Sequence, residues 1–104
     1  MSDIEILDPK TKPKTQPKVE KPRMHKVILL NDDYTPREFV TIVLKSVFGM
    51  GPERAYGVMM TAHQKGSCVV AVYTRDVAET KADQATEAGQ KEGFPLTFTT
   101  EPED

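Results

Sequence analysis

The run His25-Lys26-Val27-Ile28-Leu29-Leu30, continued by Asn31-Asp32-Asp33-Tyr34-Thr35-Pro36-Arg37-Glu38-Phe39-Val40, decides the architecture of this chain. Its first six residues are largely apolar and contain β-branched side chains, and three Asx residues stop them. That reads as a strand entering a turn. The turn feeds a helix start: Thr35 stands at an N-cap position, Pro36 at the first helical position and Glu38 three residues on, a capping box. Tyr34 and Phe39 have the spacing of a hydrophobic staple. Phe39, Val40, Val43, Leu44, Val47 and Phe48 then recur at threes and fours until Gly49, which marks one amphipathic helix.

Downstream, Gly51-Pro52 opens a second helix with Ala55, Val58, Met59 and Ala62 at i, i+3, i+4 and i+7, ended by Gly66. His63 follows Met59 by one turn and shares an edge of that face. Residues 67–73, Ser-Cys-Val-Val-Ala-Val-Tyr, are apolar on both alternating faces, the pattern of a central strand. Residues 75–92 read as a third helix with a small inward line, Ala78, Ala82 and Ala85, and Gly93 as its stop. Phe94, Leu96 and Phe98 alternate with Pro95, Thr97 and Thr99, a strand with one buried face. Its proline suits the first residues of a strand or an edge. The order β-α-α-β-α-β implies an α/β (α+β) two-layer sandwich, a three-stranded sheet packed against three helices.

Upstream, residues 1–23 hold four of the eight prolines and few large aliphatic residues. Such a stretch buries too little apolar area to offset its ordering entropy and is expected to be a disordered arm. Residues 24–104 form the domain. The arm carries six Lys/Arg against four Asp/Glu, the domain eight against twelve. A domain with a net charge of −4 lacks the basic footprint that nucleic acid requires and suits a cationic ligand. The single cysteine, Cys68, rules out an intrachain disulfide and fits a reducing compartment. With no apolar run of membrane-spanning length and no signal-peptide pattern, the expectation is a cytoplasmic protein without membrane contact.

Enzymatic readings find little support. Cys68 sits in an apolar strand, where a thiol ordinarily packs. No phosphate loop or calcium loop is present, and two histidines supply a metal site poorly. Asx residues between a strand and a helix are ordinarily turn chemistry. Here, however, the cap leaves two carboxylates and an amide to spare. A short connection makes the first two helices antiparallel neighbours, which brings His63 toward Asn31. Acceptors then gather over a groove lined by Val40, Met59 and Ala62, a site for an ammonium attached to an apolar side chain.

Asn31-Asp32-Asp33-Tyr34-Thr35-Pro36, Glu38-Phe39-Val40, His63, Val77-Ala78-Glu79-Thr80-Lys81 and Pro95-Leu96 together resemble ClpS, the bacterial N-degron adaptor family of the Clp AAA+ protease, in register over roughly residues 24–100. The resemblance implies an adaptor, not an enzyme, that works as a monomer with no cofactor and no metal. It implies substrates that begin with Leu, Phe, Tyr or Trp and delivery to the N-domain of the ClpA unfoldase. Asn31 and His63 match the family's ligands for the substrate's α-amino group and first peptide carbonyl, and Asp32 the carboxylate that helps hold it. Asp33, Thr35 and Arg37 fall on the wall and rim, and Val40, Met59, Ala62 and Leu96 on the pocket for the first side chain. Asp76, Glu79 and Lys81 match the ClpA docking surface, and the arm the segment that engages the unfoldase. Arg37 stands where well-known members have methionine, and Ala62 where some have valine. An imidazole that accepts from an ammonium must be neutral, so binding is expected to weaken as His63 protonates. The alternative is a generic protein-interaction domain that ignores N-terminal identity.

Overall fold

The computed structural model describes residues 22–104, so nearly all of the expected arm, residues 1–23, lies outside the described residues. Six elements follow in order: β1 (Met24–Leu30), α1 (Arg37–Phe48), α2 (Pro52–Lys65), β2 (Ser67–Thr74), α3 (Arg75–Lys91) and β3 (Thr97–Pro102). The sheet is antiparallel with order β2-β1-β3. This is the two-layer arrangement expected from the periodicities.

The helices cover one face of the sheet. Val27 and Leu29 of β1, Val70 of β2 and Phe98 of β3 are buried there against Val40, Val43 and Leu44 of α1. α2 contributes Ala55, Val58, Met59 and Ala62, and α3 the small line Ala78, Ala82 and Ala85. Side chains this small let α3 lie close to the sheet. Leu44 has no exposed surface and lies in this cluster. Leu44→Ala is expected to cost about 2–5 kcal/mol, the range for a buried leucine that leaves a cavity. A urea melt measures it; an unchanged midpoint would mean that the site collapses around the smaller side chain.

Two glycines end helices because they accept a left-handed backbone. At Gly49 (φ 69°) the α1 chain turns, with Gly49 N–H donating to the Lys45 carbonyl and Met50 N–H to that of Leu44, an αL-type cap. Gly66 (φ 96°) ends α2 in the same way, its N–H on the Ala62 carbonyl. The Lys81 ammonium donates to the Val47 carbonyl at 2.9 Å, a cation at the negative end of α1. It ties α3 to α1.

Four local expectations are corrected. The helix begins at Arg37 with Pro36 as its N-cap, and no side chain caps it; the Val40 N–H bonds the Pro36 carbonyl. Thr35 is not the cap, because its hydroxyl is bound by Asp32. The staple is absent as well: Tyr34 is 80% exposed, while Phe39 packs edge-on against Phe94, ring centroids 5.0 Å apart. The 67–73 run is an edge strand, not the central one; β1 holds the centre. Its second apolar face is left uncovered, with Val69 and Val72 exposed on the open face of the sheet. Finally, β3 begins at Thr97, so Phe94, Pro95 and Leu96 form the loop that enters it.

At the middle of β2 the register skips Val70, with Val27 opposite Ala71 and Ile28 opposite Val69. Arg54 donates to the Val70 carbonyl at 3.0 Å. The bulge turns that carbonyl out of the ladder, and the guanidinium satisfies it.

Candidate functional site

The site is built where β1 ends and two helix termini meet. Asn31 leaves β1 and donates its backbone N–H to the Gly66 carbonyl at 3.0 Å. That bond fastens the end of the strand to the end of α2, three residues past His63. Asp32 then organises the turn. Its Oδ1 accepts from the N–H groups of Tyr34 (2.8 Å) and Thr35 (2.7 Å), and its Oδ2 accepts from the Thr35 hydroxyl (2.9 Å). This is an Asx turn, in which a side chain stands in for backbone acceptors.

A cavity of about 110 Å³ opens beside this turn, lined by Leu29, Leu30, Asn31, Asp32, Asp33, Thr35, Arg37, Val40, Met59, Ala62, His63 and Leu96. Every residue read from sequence as ligand, wall or rim is among them. Sequence reasoning missed Leu29 and Leu30, which it assigned only to the strand. The strand's termination at the turn was the available signal, since its last residues must border whatever the turn borders. Val40, Met59, Ala62 and Leu96 form the apolar floor and are all buried, whereas Asn31, Asp33, Arg37 and His63 are exposed at the mouth. The volume is of the order of the roughly 150 Å³ apolar cavity that takes up benzene.

The mouth differs from the expectation in how its carboxylates are used. Asp32 accepts three internal hydrogen bonds, most of the roughly four that a carboxylate offers. The cap therefore does not leave two carboxylates to spare; the turn consumes one. Among the described residues, no side-chain hydrogen bond engages Asn31 or Asp33, so these keep their acceptors free. Arg37 Nη2 lies 3.2 Å from His63 Nε2. A guanidinium has only donors, so Nε2 is the acceptor of this pair. The pair spans the mouth from the start of α1 to the last turn of α2.

Electrostatically the mouth suits a cation. The C-terminal end of α2 carries partial negative charge. The opposing positive end of α1 is offset by Asp32 and Asp33 beside it. Other chemistry is thinly supplied. Burial pushes the Cys68 thiol above its ordinary range, against the opposing pull of Arg54 and Lys65, which keeps it protonated at neutral pH. Among the described residues no group of three or more His, Cys, Asp or Glu is placed to hold a metal ion, and no helix is long and apolar enough to cross a membrane.

The residues read as a docking surface lie elsewhere. Asp76 and Glu79 are exposed on the first turns of α3, Glu79 paired with Arg75 at 3.2 Å. They border a hollow with His25 and Glu101 at the Met24 end of β1, about 20 Å from the Leu30 end at strand rise. Lys81 is half-buried, with its ammonium spent on Val47.

Comparison with known proteins accords with this geometry. The family model for the ATP-dependent Clp protease adaptor protein ClpS matches residues 20–99. The adapter protein ClpS 1 of Bradyrhizobium diazoefficiens is 66% identical over 99 residues, covering 95% of this chain and 96% of its own. That of Rhodopseudomonas palustris is 64% identical over the full length of both chains, 104 residues. Among solved structures, Agrobacterium tumefaciens ClpS2 bound to L-phenylalaninamide is 64% identical with a TM-score of 0.79, over 80% of this chain and 100% of that one. The chain belongs to the ClpS family of adaptor proteins of the ATP-dependent Clp protease.

Proposed function

We propose that this adaptor captures the free first residue of a polypeptide, with its side chain in the apolar slot and its ammonium at the mouth, and hands it to the protease. The observation that carries the reading is the cavity itself, with a floor of Val40, Met59, Ala62 and Leu96 below a mouth bearing Asn31 and His63. L-phenylalaninamide, held by the related Agrobacterium protein, supports it chemically. That molecule has a free amino group, a benzyl side chain and an amide where the next peptide bond would begin. It is in effect the first residue of a chain.

Asn31 and His63 hold the ammonium and the first carbonyl, while the charges of Asp32 and Asp33 favour the cation. An ammonium that takes the His63 Nε2 lone pair displaces Arg37, so two cations contend for one acceptor. Thr35 stays part of the wall through its bond to Asp32. The chain performs no catalysis and needs no cofactor. It acts in the cytoplasm as a monomer, on substrates beginning with Leu, Phe, Tyr or Trp. Asp76 and Glu79 form the surface that meets the ClpA N-domain, with Lys81 holding α3 in position behind them.

The test is a titration of labelled peptides that differ only in their first residue. A Phe-first peptide is expected to bind at least about tenfold more tightly than a Lys-first one, since burying the ring contributes about 1.5–3 kcal/mol. Asn31→Ala and His63→Ala each remove a hydrogen bond to a charged group, worth about 1.5–3 kcal/mol, a tenfold loss or more. Both residues are exposed, so the unfolding free energy should change by less than about 0.5 kcal/mol. Equal affinity for the two peptides would favour a generic interaction domain, and cleavage of either would favour an enzyme.

A further inference from the structure

Gly89 lies in the last turns of α3 and is buried. Its backbone does not occupy the left-handed region, where φ is positive for Gly49, Gly66 and Gly93. Glycine is disfavoured relative to alanine inside a helix, so backbone freedom does not account for it. Space does. A Cβ at Gly89 would lie 2.7 Å from Leu96 Cβ and 3.4 Å from Leu96 Cδ2. Leu96 Cβ is fixed to the backbone just ahead of β3, so the conflict cannot be relieved by turning the end of a flexible side chain.

Leu96 is only 1% exposed, and its other side lines the cavity beneath the Asn31–His63 mouth. It is therefore held between α3 and the slot. Gly89 also anchors the loop that delivers it, because its carbonyl accepts from Phe94 N–H at 2.9 Å and Glu92 N–H at 3.0 Å. From this packing we infer that Gly89 is a positioning residue that sets the depth of the first-residue pocket. The missing methyl lets Leu96 settle against α3, and the room gained appears in the slot. A methyl at 89 drives Leu96 away from the helix and into the cavity. The ligands that lose most are then those with the largest first side chains. The inference rests on the function proposed above and adds a determinant of its specificity that touches no ligand.

The experiment compares wild type, Gly89→Ala and Leu96→Val, each titrated with peptides beginning with Phe, with Leu and with N-acetyl-Phe. In Gly89→Ala the preference for Phe over Leu should fall roughly tenfold, the smallest effect expected when an apolar pocket changes by about one methylene. Leu96→Val removes a methylene from the same wall and should shift the ratio the other way. Partial unfolding lowers both affinities by one factor and leaves their ratio intact, which Leu44→Ala, away from the slot, serves to demonstrate. An unchanged ratio in Gly89→Ala, or a variant unfolded at 25 °C, overturns the inference. Wild type that binds Phe-first and acetylated peptides alike would instead overturn the underlying function.

Discussion

Acetylating the first residue of a Phe-initiated peptide is expected to weaken its binding by at least about a hundredfold. The acyl group removes the positive charge and leaves the mouth facing a neutral amide. On the function proposed above, two charge-assisted hydrogen bonds are lost, to Asn31 and His63, each worth about 1.5–3 kcal/mol. Their sum corresponds to roughly 10²–10⁴ in affinity. The carboxylates of Asp32 and Asp33 and the C-terminal end of α2 also lose the cation they favour. Fluorescence anisotropy of the two peptides, matched in every other residue, measures the difference. A gap under about threefold would mean that the slot binds an apolar side chain wherever it occurs in a sequence. The mouth would then have no part in recognition.

The second large effect belongs to Asp32, through folding as well as binding. Asp32→Ala removes three hydrogen bonds at once. Tyr34 N–H is exposed and finds water. Thr35 is only 8% exposed, so its N–H and hydroxyl are left poorly served, at about 1–3 kcal/mol per buried group. A loss of about 2–4 kcal/mol in stability follows, with binding reduced further because the carboxylate charge beside the mouth is gone. Asp33→Ala, at an exposed position, should stay within about 0.5 kcal/mol of wild type. Asp32→Asn separates geometry from charge: its carbonyl still accepts the two N–H groups, and the Thr35 hydroxyl can rotate to accept from the new amide. That variant should keep most of its stability and still bind less tightly. Urea midpoints paired with peptide titrations give both readings, and an Asp32→Ala chain as stable as wild type would show the Asx turn to be dispensable.

Much of the site was legible in the sequence because its parts lie at element ends. Asn31 to Thr35 follow a strand and precede a helix, and His63 falls just before a glycine stop. Val40, Met59 and Ala62 announce themselves as members of apolar stripes. The misreadings share one cause. Thr35 has the residue type and spacing of a cap, but an Asp three residues earlier competes for the same hydroxyl at 2.9 Å, and pattern cannot weigh the two. Residues 67–73 are apolar on both faces, which ordinarily signals a covered central strand; Val69 and Val72 are exposed instead. Gly89 gave no signal, since the atom that makes it necessary belongs to Leu96, seven residues on and beyond the end of the helix.

What the amino-acid order determined alone was everything governed by local periodicity and by backbone stops: six elements, their sequence, the apolar stripes and the polar corner. Helices and strands write their periods into neighbouring residues, so one dimension suffices to read them. Only the folded chain decided that β1 is central, that Asp32 spends its carboxylate on the turn and that Arg37 reaches across to His63. Those outcomes depend on which of several chemically equivalent partners is near in space, and packing chooses among them.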